Sequence, residues 1–185
     1  MKKILLTALS VAILAGCASA DKKVAEDMEG MKYPAWVLNP QVEGGIAVAE
    51  CVLASGNFSI DKQQAVANAT ASLAQRLDVK VKAMTESLSK KTTANVGVNS
   101  SSEFTAKART ITERTMVGVT PQKFDFAEFD NQRHFCALVS IDKASTDRLF
   151  NQLLDNWSRP VTPDNKQQVY RDFLLAKAED DLSKK

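Results

Sequence analysis

The sequence predicts an α+β fold in which helices pack on one face of a twisted, mainly antiparallel sheet. Apolar residues recur with the helical period in some segments and alternate with polar residues in others. Residues 130–132 (Asp-Asn-Gln) supply a turn between two strand-like segments, which predicts an antiparallel hairpin. Helices and hairpin strands mixed in this way form two packed layers, so the predicted order is β-α-β-α-β-β-α followed by a C-terminal helix.

The first half of the domain is predicted as a strand, a helix and a second strand. A Gly-Gly turn precedes the apolar residues 46–54, which predict strand one. A stripe of small and apolar side chains with the helical period follows, and we expect this helix to end near Asp78. Residues 79–86 alternate between apolar and polar side chains, which predicts strand two. The helical stripe consists of Ala65, Ala69, Leu73 and Leu77.

The second half of the domain is predicted as a helix, a hairpin and a helix. Ser100 stands three residues before Glu103, which is the spacing of a capping box, and the helix is expected to run to about Gly118. Residues 119–129 and 133–141 then predict strands three and four of the hairpin.

Two further helices follow the hairpin. The first begins at Asp142 and is broken by the prolines at positions 160 and 163. Asp164 is a suitable cap for the last helix. We therefore divide the chain into a signal peptide (1–16), a flexible tether (17–32), an α+β domain (33–157) and a C-terminal helical extension (158–185).

The N-terminus carries the pattern of a bacterial lipoprotein signal. A basic start and an apolar stretch too short to cross a bilayer precede Leu-Ala-Gly at positions 14–16 and then Cys17. This pattern predicts cleavage before Cys17, whose thiol then takes a diacylglycerol. The alternative is an ordinary signal peptide cleaved after Ala-Ser-Ala at positions 18–20. Ala18, rather than aspartate, at the second mature position favours sorting to the outer membrane.

Charge and cysteine content restrict the function further. Loss of residues 1–16 removes two lysines and leaves 22 basic and 22 acidic side chains, so the mature chain offers no basic footprint for nucleic acid. Besides Cys17, two cysteines remain, Cys51 and Cys136, both in strand-like segments. They could form a disulfide between neighbouring strands, or they could be two buried thiols.

The sequence lacks the residue combinations that are typical of catalytic and metal sites. A single histidine, His134, excludes metal sites built on several histidines. Three acidic residues near the hairpin turn could supply a general acid–base pair, but such clusters usually form a solvated face. They are Asp125, Glu128 and Asp130. We therefore predict a protein that is not an enzyme, with no catalytic residue, no metal site and no cofactor.

Several short motifs resemble one family of envelope proteins. They are Leu-Ala-Gly-Cys at 14–17, Pro-Ala-Trp-Val at 34–37, the alanine-rich segment 65–77 and Phe-Cys-Ala-Leu-Val at 135–139. Over residues 33–157 the chain resembles the LPP-twenty family of outer-membrane lipoproteins. The family offers no catalytic residues. The resemblance implies an outer-membrane-anchored domain that sometimes assembles into rings or discs around an envelope machine.

These observations predict a non-enzymatic scaffold or assembly accessory of the cell envelope, serving a flagellum-like or another envelope machine. The acylated N-terminus would bind outer-membrane lipid, and the domain would face the periplasm and bind protein partners or copies of itself. Two alternatives remain open at this stage. One is a regulator or adaptor of a cell-wall synthase, and the other is a carrier of a small ligand or lipid.

Overall fold

The computed structural model describes residues 32–91 and 98–176. It confirms the α+β class, with helices and a three-stranded antiparallel sheet in the order β1-β3-β2. The elements are α1 (Ala35–Leu38), β1 (Ile46–Leu53), α2 (Phe58–Lys91), α3 (Val98–Met116), β2 (Thr120–Phe129), β3 (Gln132–Ile141), α4 (Lys143–Asp155) and α5 (Pro163–Leu175).

The predicted second strand at residues 79–86 is wrong, and so is the predicted helix end at Asp78. Both regions belong to α2, which continues for 34 residues. The alternating pattern is also a helical one, because Lys80, Met84 and Leu88 are buried and extend the stripe that passes through Leu77. No glycine or proline interrupts this part of the sequence, so the helix has no reason to end there.

The next predicted helix is present, but it begins earlier than expected. The helix α3 starts at Val98, two residues before the proposed cap Ser100, and it ends at Met116. Glu103 therefore lies inside the helix, where its carboxylate pairs with the Lys107 amine at 2.8 Å. Exposed pairs of this kind contribute only a few tenths of a kcal/mol.

The central strand β3 is buried on both faces of the sheet. Its side chains from Phe135 to Ile141 are all buried. Alternate residues, such as Val139, face the long helix α2, which contacts β1 and β3. The opposite face, which includes Leu138, lies under the N-terminal segment containing α1. The four long helices therefore lie on one side of the sheet, as predicted.

The last helix is part of the main core. In α5, which lies in the predicted C-terminal extension, Val169 and Phe173 are fully buried. Phe173 packs near Phe150 of α4, with ring centroids 5.6 Å apart, and the Tyr170 hydroxyl donates to Asp147 of α4. Burial of such aromatic side chains contributes about 1.5–3 kcal/mol each.

The strand connections show why particular residues stand at the turns. Asp130 and Asn131 have φ values of 51° and 58°, which produces the two-residue turn that joins twisted hairpin strands. Gly45 precedes β1, and a Cβ atom there would lie 2.2 Å from the carbonyl oxygen of Ile141. Only glycine allows β1 to enter the sheet this close to the end of β3.

Candidate interaction surfaces

The three cysteines have different positions relative to the described structure. Cys17 lies outside the described residues. Cys51 in β1 stands directly opposite Cys136 in β3, and the two sulfurs are bonded, with Cα atoms 4.0 Å apart. The disulfide therefore joins an edge strand to the centre of the sheet and closes a sequence separation of 85 residues.

The acidic residues near the hairpin do not form a shared pair. Asp125 and Glu128 are three positions apart on β2, so their side chains point to opposite faces of the sheet. Asp130 forms part of the turn, and Nδ1 of His134 lies 3.1 Å from the carbonyl oxygen of Gln132. Within residues 32–91 and 98–176, no group of three or more metal-binding side chains comes together.

One sheet edge, formed by β2, is protected. The N–H of Glu128 donates to the carbonyl of Lys32 at 2.7 Å, and the N–H of Phe126 donates to the carboxylate of Asp125 at 2.8 Å. Near the other end of the strand, Pro121 has no N–H and lies at a register shift. These features occupy or remove donors near both ends of the strand and leave the outward N–H of Phe124 without a partner among the described residues. Asp125 thus has a structural role that its charge alone did not reveal.

The other sheet edge, formed by β1, is open. The N–H of Ala54 donates to the carbonyl of Arg133 in β3 at 2.9 Å. Backbone groups alternate between the two sides of a strand. Those of Ala49, Cys51 and Leu53 therefore point away from the sheet, and no other described residue bonds to them.

Only the start of the β1 edge is covered. The Arg76 guanidinium of α2 donates to the carbonyl of Ala47 at 2.7 Å. Further along the strand, Leu53 is 56% exposed. Within residues 32–91 and 98–176, the open part of β1 thus presents a row of unpaired backbone donors and acceptors, which is the feature that accepts an extended peptide.

A cluster of four phenylalanines lies where α2 begins beside the sheet. The buried ring of Phe135 is at its centre, with the centroids of Phe58, Phe124 and Phe126 at 5.2, 5.9 and 5.2 Å. We call these four residues the Phe135 cluster. Two cationic side chains lie over its outer rings. The Lys62 amine is 4.8 Å from the centroid of Phe124, and the Arg133 guanidinium is 3.6 Å from the centroid of Phe126. Such contacts combine apolar and cationic surface in one place.

A groove of about 800 Å³ runs between α2 and α3. Its walls are mainly small side chains such as Ala71, Ala74 and Ala108. Thr112 also lines the groove, and its buried hydroxyl has no hydrogen-bond partner among the described residues. Four charged side chains also line the groove, and they are Asp78, Lys82, Arg109 and Glu113.

Lys80 fixes the end of the last helix. This buried side chain of α2 donates to the carbonyl oxygens of Phe173, Leu174 and Ala176 at 3.3, 2.7 and 3.2 Å. These are the carbonyls that a helix C-terminus leaves without intrahelical partners. Burial, and to a lesser degree the nearby charge of Arg76, lowers the pKa of Lys80 from its ordinary 10.5 to about 8.

The pKa of Lys80 predicts how stability changes with pH. Between about pH 8 and 10.5 the folded chain has released the Lys80 proton, whereas the unfolded chain still binds it. Raising the pH through this window therefore increases the free energy of unfolding. Lys80→Met keeps the apolar stem and removes the titrating group. In this variant the free energy of unfolding, measured with urea, should rise less between about pH 8 and 10.5.

Lys82→Met is the matched control for this experiment. Lys82 lies on the same helix but is exposed, so its replacement should leave the rise with pH intact. An undiminished rise in the Lys80→Met protein would show that another group is responsible.

Comparison with known proteins identifies the N-terminus alone. Residues 1–18 match the family model of the prokaryotic membrane lipoprotein lipid attachment site. No curated protein and no solved structure matches the chain. Among the described residues, no helix is both long enough and apolar enough to cross a membrane. The matched segment includes Cys17 and indicates a membrane lipoprotein anchored by lipid at its N-terminus.

Proposed function

We propose that this lipoprotein is a non-enzymatic scaffold or assembly accessory of the bacterial envelope. It is anchored to the outer membrane through acylated Cys17 and faces the periplasm. Ala18 at the second mature position and the resemblance to LPP-twenty lipoproteins support this location. Partner binding, rather than catalysis, is the activity that the domain performs.

The open edge of β1 is the observation that carries this proposal. The edge of β2 has most of its outward donors occupied or removed, whereas β1 presents backbone groups from Ala49 to Leu53 that no other described residue bonds. Natural sheets usually protect their edges, so one protected edge and one open edge indicate a strand-addition site. The disulfide holds β1 against β3 and keeps this site in place.

The test removes one backbone donor from the open edge. The N–H of Ala49 points away from the sheet, so Ala49→Pro costs no hydrogen bond within the fold but blocks strand addition. In cells carrying the lipidated protein, chemical crosslinking should give a complex of defined mass, and Ala49→Pro should reduce its yield at least about tenfold.

Ala49→Val is the matched control, because it also enlarges the side chain but keeps the N–H. We expect the valine variant to retain the complex and both variants to keep the urea midpoint of the original chain. Equal yields from the proline and valine variants would contradict strand addition. Mass spectrometry of the complex then separates a second copy of the chain from an envelope machine component or a cell-wall synthase.

A further inference from the structure

Exposed apolar side chains lie at the end of the domain that carries the hairpin turn. Seven large hydrophobic residues are exposed within the described part of the chain. Three of them lie at or next to this end, on the side of the sheet that α2 covers, and we call these three the hairpin-end patch. Exposed apolar groups of this kind are a feature of surfaces that bind a partner. The patch consists of Phe58, Ile60 and Phe124.

The positions of these residues follow from the strand register. Phe124 pairs with Ala137 on the face of the sheet that α2 covers, whereas Leu53, which pairs with His134, faces the other side and belongs to the open β1 edge. Phe58 and Ile60 are in the first turn of α2, and both are more than half exposed. Phe124 is stacked on Phe135, which also contacts Phe58.

The described chain begins at this same end. The described chain begins at Lys32, which pairs with Glu128 near the end of β2, and Tyr33 stacks on Phe129 with ring centroids 5.6 Å apart. Only residues 18–31 separate Lys32 from Cys17. A segment of this length reaches at most about 50 Å, and a flexible one spans about 20 Å on average. The segment that carries the anchor therefore joins the described domain at its hairpin end.

We propose that the hairpin-end patch rests on the lipid surface and orients the domain, so that the open β1 edge is presented away from the bilayer interior. Phenylalanine and aliphatic side chains enter the interface between headgroups and acyl chains. Lys62 and Arg133, which lie over the rings of the Phe135 cluster, can reach the headgroups while their stems cover apolar surface.

Apolar contact, rather than charge, provides most of this binding. Lys62 and Arg133 are accompanied at the same end by Asp125, Glu128 and Asp130, so the local charge is nearly balanced. The affinity can be weak, because the acyl anchor already holds the patch at a high effective concentration near the bilayer. We expect added salt to change the binding by less than about threefold.

The test uses the full mature chain with Cys17→Ser, which removes the acyl chains. This protein is mixed with vesicles of phosphatidylethanolamine and phosphatidylglycerol, and binding is measured by flotation. We expect measurable binding, and a decrease of at least about tenfold for Phe58→Ser/Ile60→Ser.

The matched control replaces exposed apolar residues at the opposite end of the sheet. Val117, just before β2, and Leu175, at the end of α5 beside the start of β1, are 88% and 73% exposed. Val117→Ser/Leu175→Ser should bind vesicles as the parent does. Equal losses in the two double variants, or a loss of binding in high salt, would overturn the proposal.

A second measurement covers the case in which the serine variants fold poorly. Ile60→Trp and Val117→Trp each place an indole at an exposed position, at opposite ends of the domain. In the lipidated protein on vesicles with brominated acyl chains, Ile60→Trp should show added fluorescence quenching and Val117→Trp should not. Equal quenching at both positions would contradict the orientation. Ala49→Pro should leave vesicle binding unchanged, which separates this proposal from strand addition.

Discussion

Replacing Cys51 and Cys136 together by alanine is expected to lower the free energy of unfolding of the mature chain by about 4 kcal/mol. The disulfide closes a loop with a sequence separation of 85 residues. A cross-link of that span removes conformational entropy from the unfolded chain that corresponds to about 4.5 kcal/mol in the loop-closure description. A domain has only about 5–15 kcal/mol of stability, so this loss is a large part of the total.

Reducing agent provides the control for this prediction. Dithiothreitol should shift the urea midpoint of the original chain towards that of the double alanine variant and should leave the variant itself unchanged. A thiol count on the unfolded, unreduced mature chain checks the bond directly. If dithiothreitol leaves the transition of the original chain in place, the disulfide does not stabilise the domain.

The parts of the fold that could be predicted from the sequence are those governed by local rules. The hairpin was predicted because Asp130 and Asn131 tolerate positive φ at a two-residue turn. The start of α4 was predicted at Asp142, which is its N-cap and whose side chain accepts from the N–H of Ser145 at 2.7 Å. The lipid attachment site could likewise be predicted, because its residues are contiguous in the sequence.

The long helix α2 shows why an alternating pattern can mislead. Residues 79–86 satisfy the strand period, but burial of Lys80 depends on acceptors supplied by α5, about ninety residues further along the chain. A lysine is normally counted as a polar residue, so the sequence pattern did not assign Lys80 to the buried stripe of the helix. Tertiary contacts, rather than local propensity, decide the structure of this segment.

The candidate surfaces depend on strand register, which the sequence did not provide. The openness of β1 follows from its place at the edge of the order β1-β3-β2, and the protection of β2 requires the contact between Lys32 and Glu128. Asp125 was considered as an acid or base, yet it accepts from the backbone N–H next to it. Composition could suggest partner binding, but it could not say which edge is available.

Phe135→Ala is expected to lower the free energy of unfolding by about 3–5 kcal/mol, which is the usual cost of removing a buried aromatic ring. Phe135 is only 2% exposed, and three other phenylalanine rings surround it. Its loss leaves a cavity between α2 and the sheet and removes the support of Phe58 and Phe124. Vesicle binding by the unacylated chain should therefore decrease together with stability.

Phe124→Ala is the matched control, because it removes the same ring from a position that is already 37% exposed. The expected loss is about 1–2 kcal/mol, since less apolar surface returns to water. Urea unfolding of the two variants separates the supporting ring from the surface ring. Equal losses would mean that Phe135 is no better packed than its neighbour, and the cluster would then have no rigid centre on which to hold the hairpin-end patch.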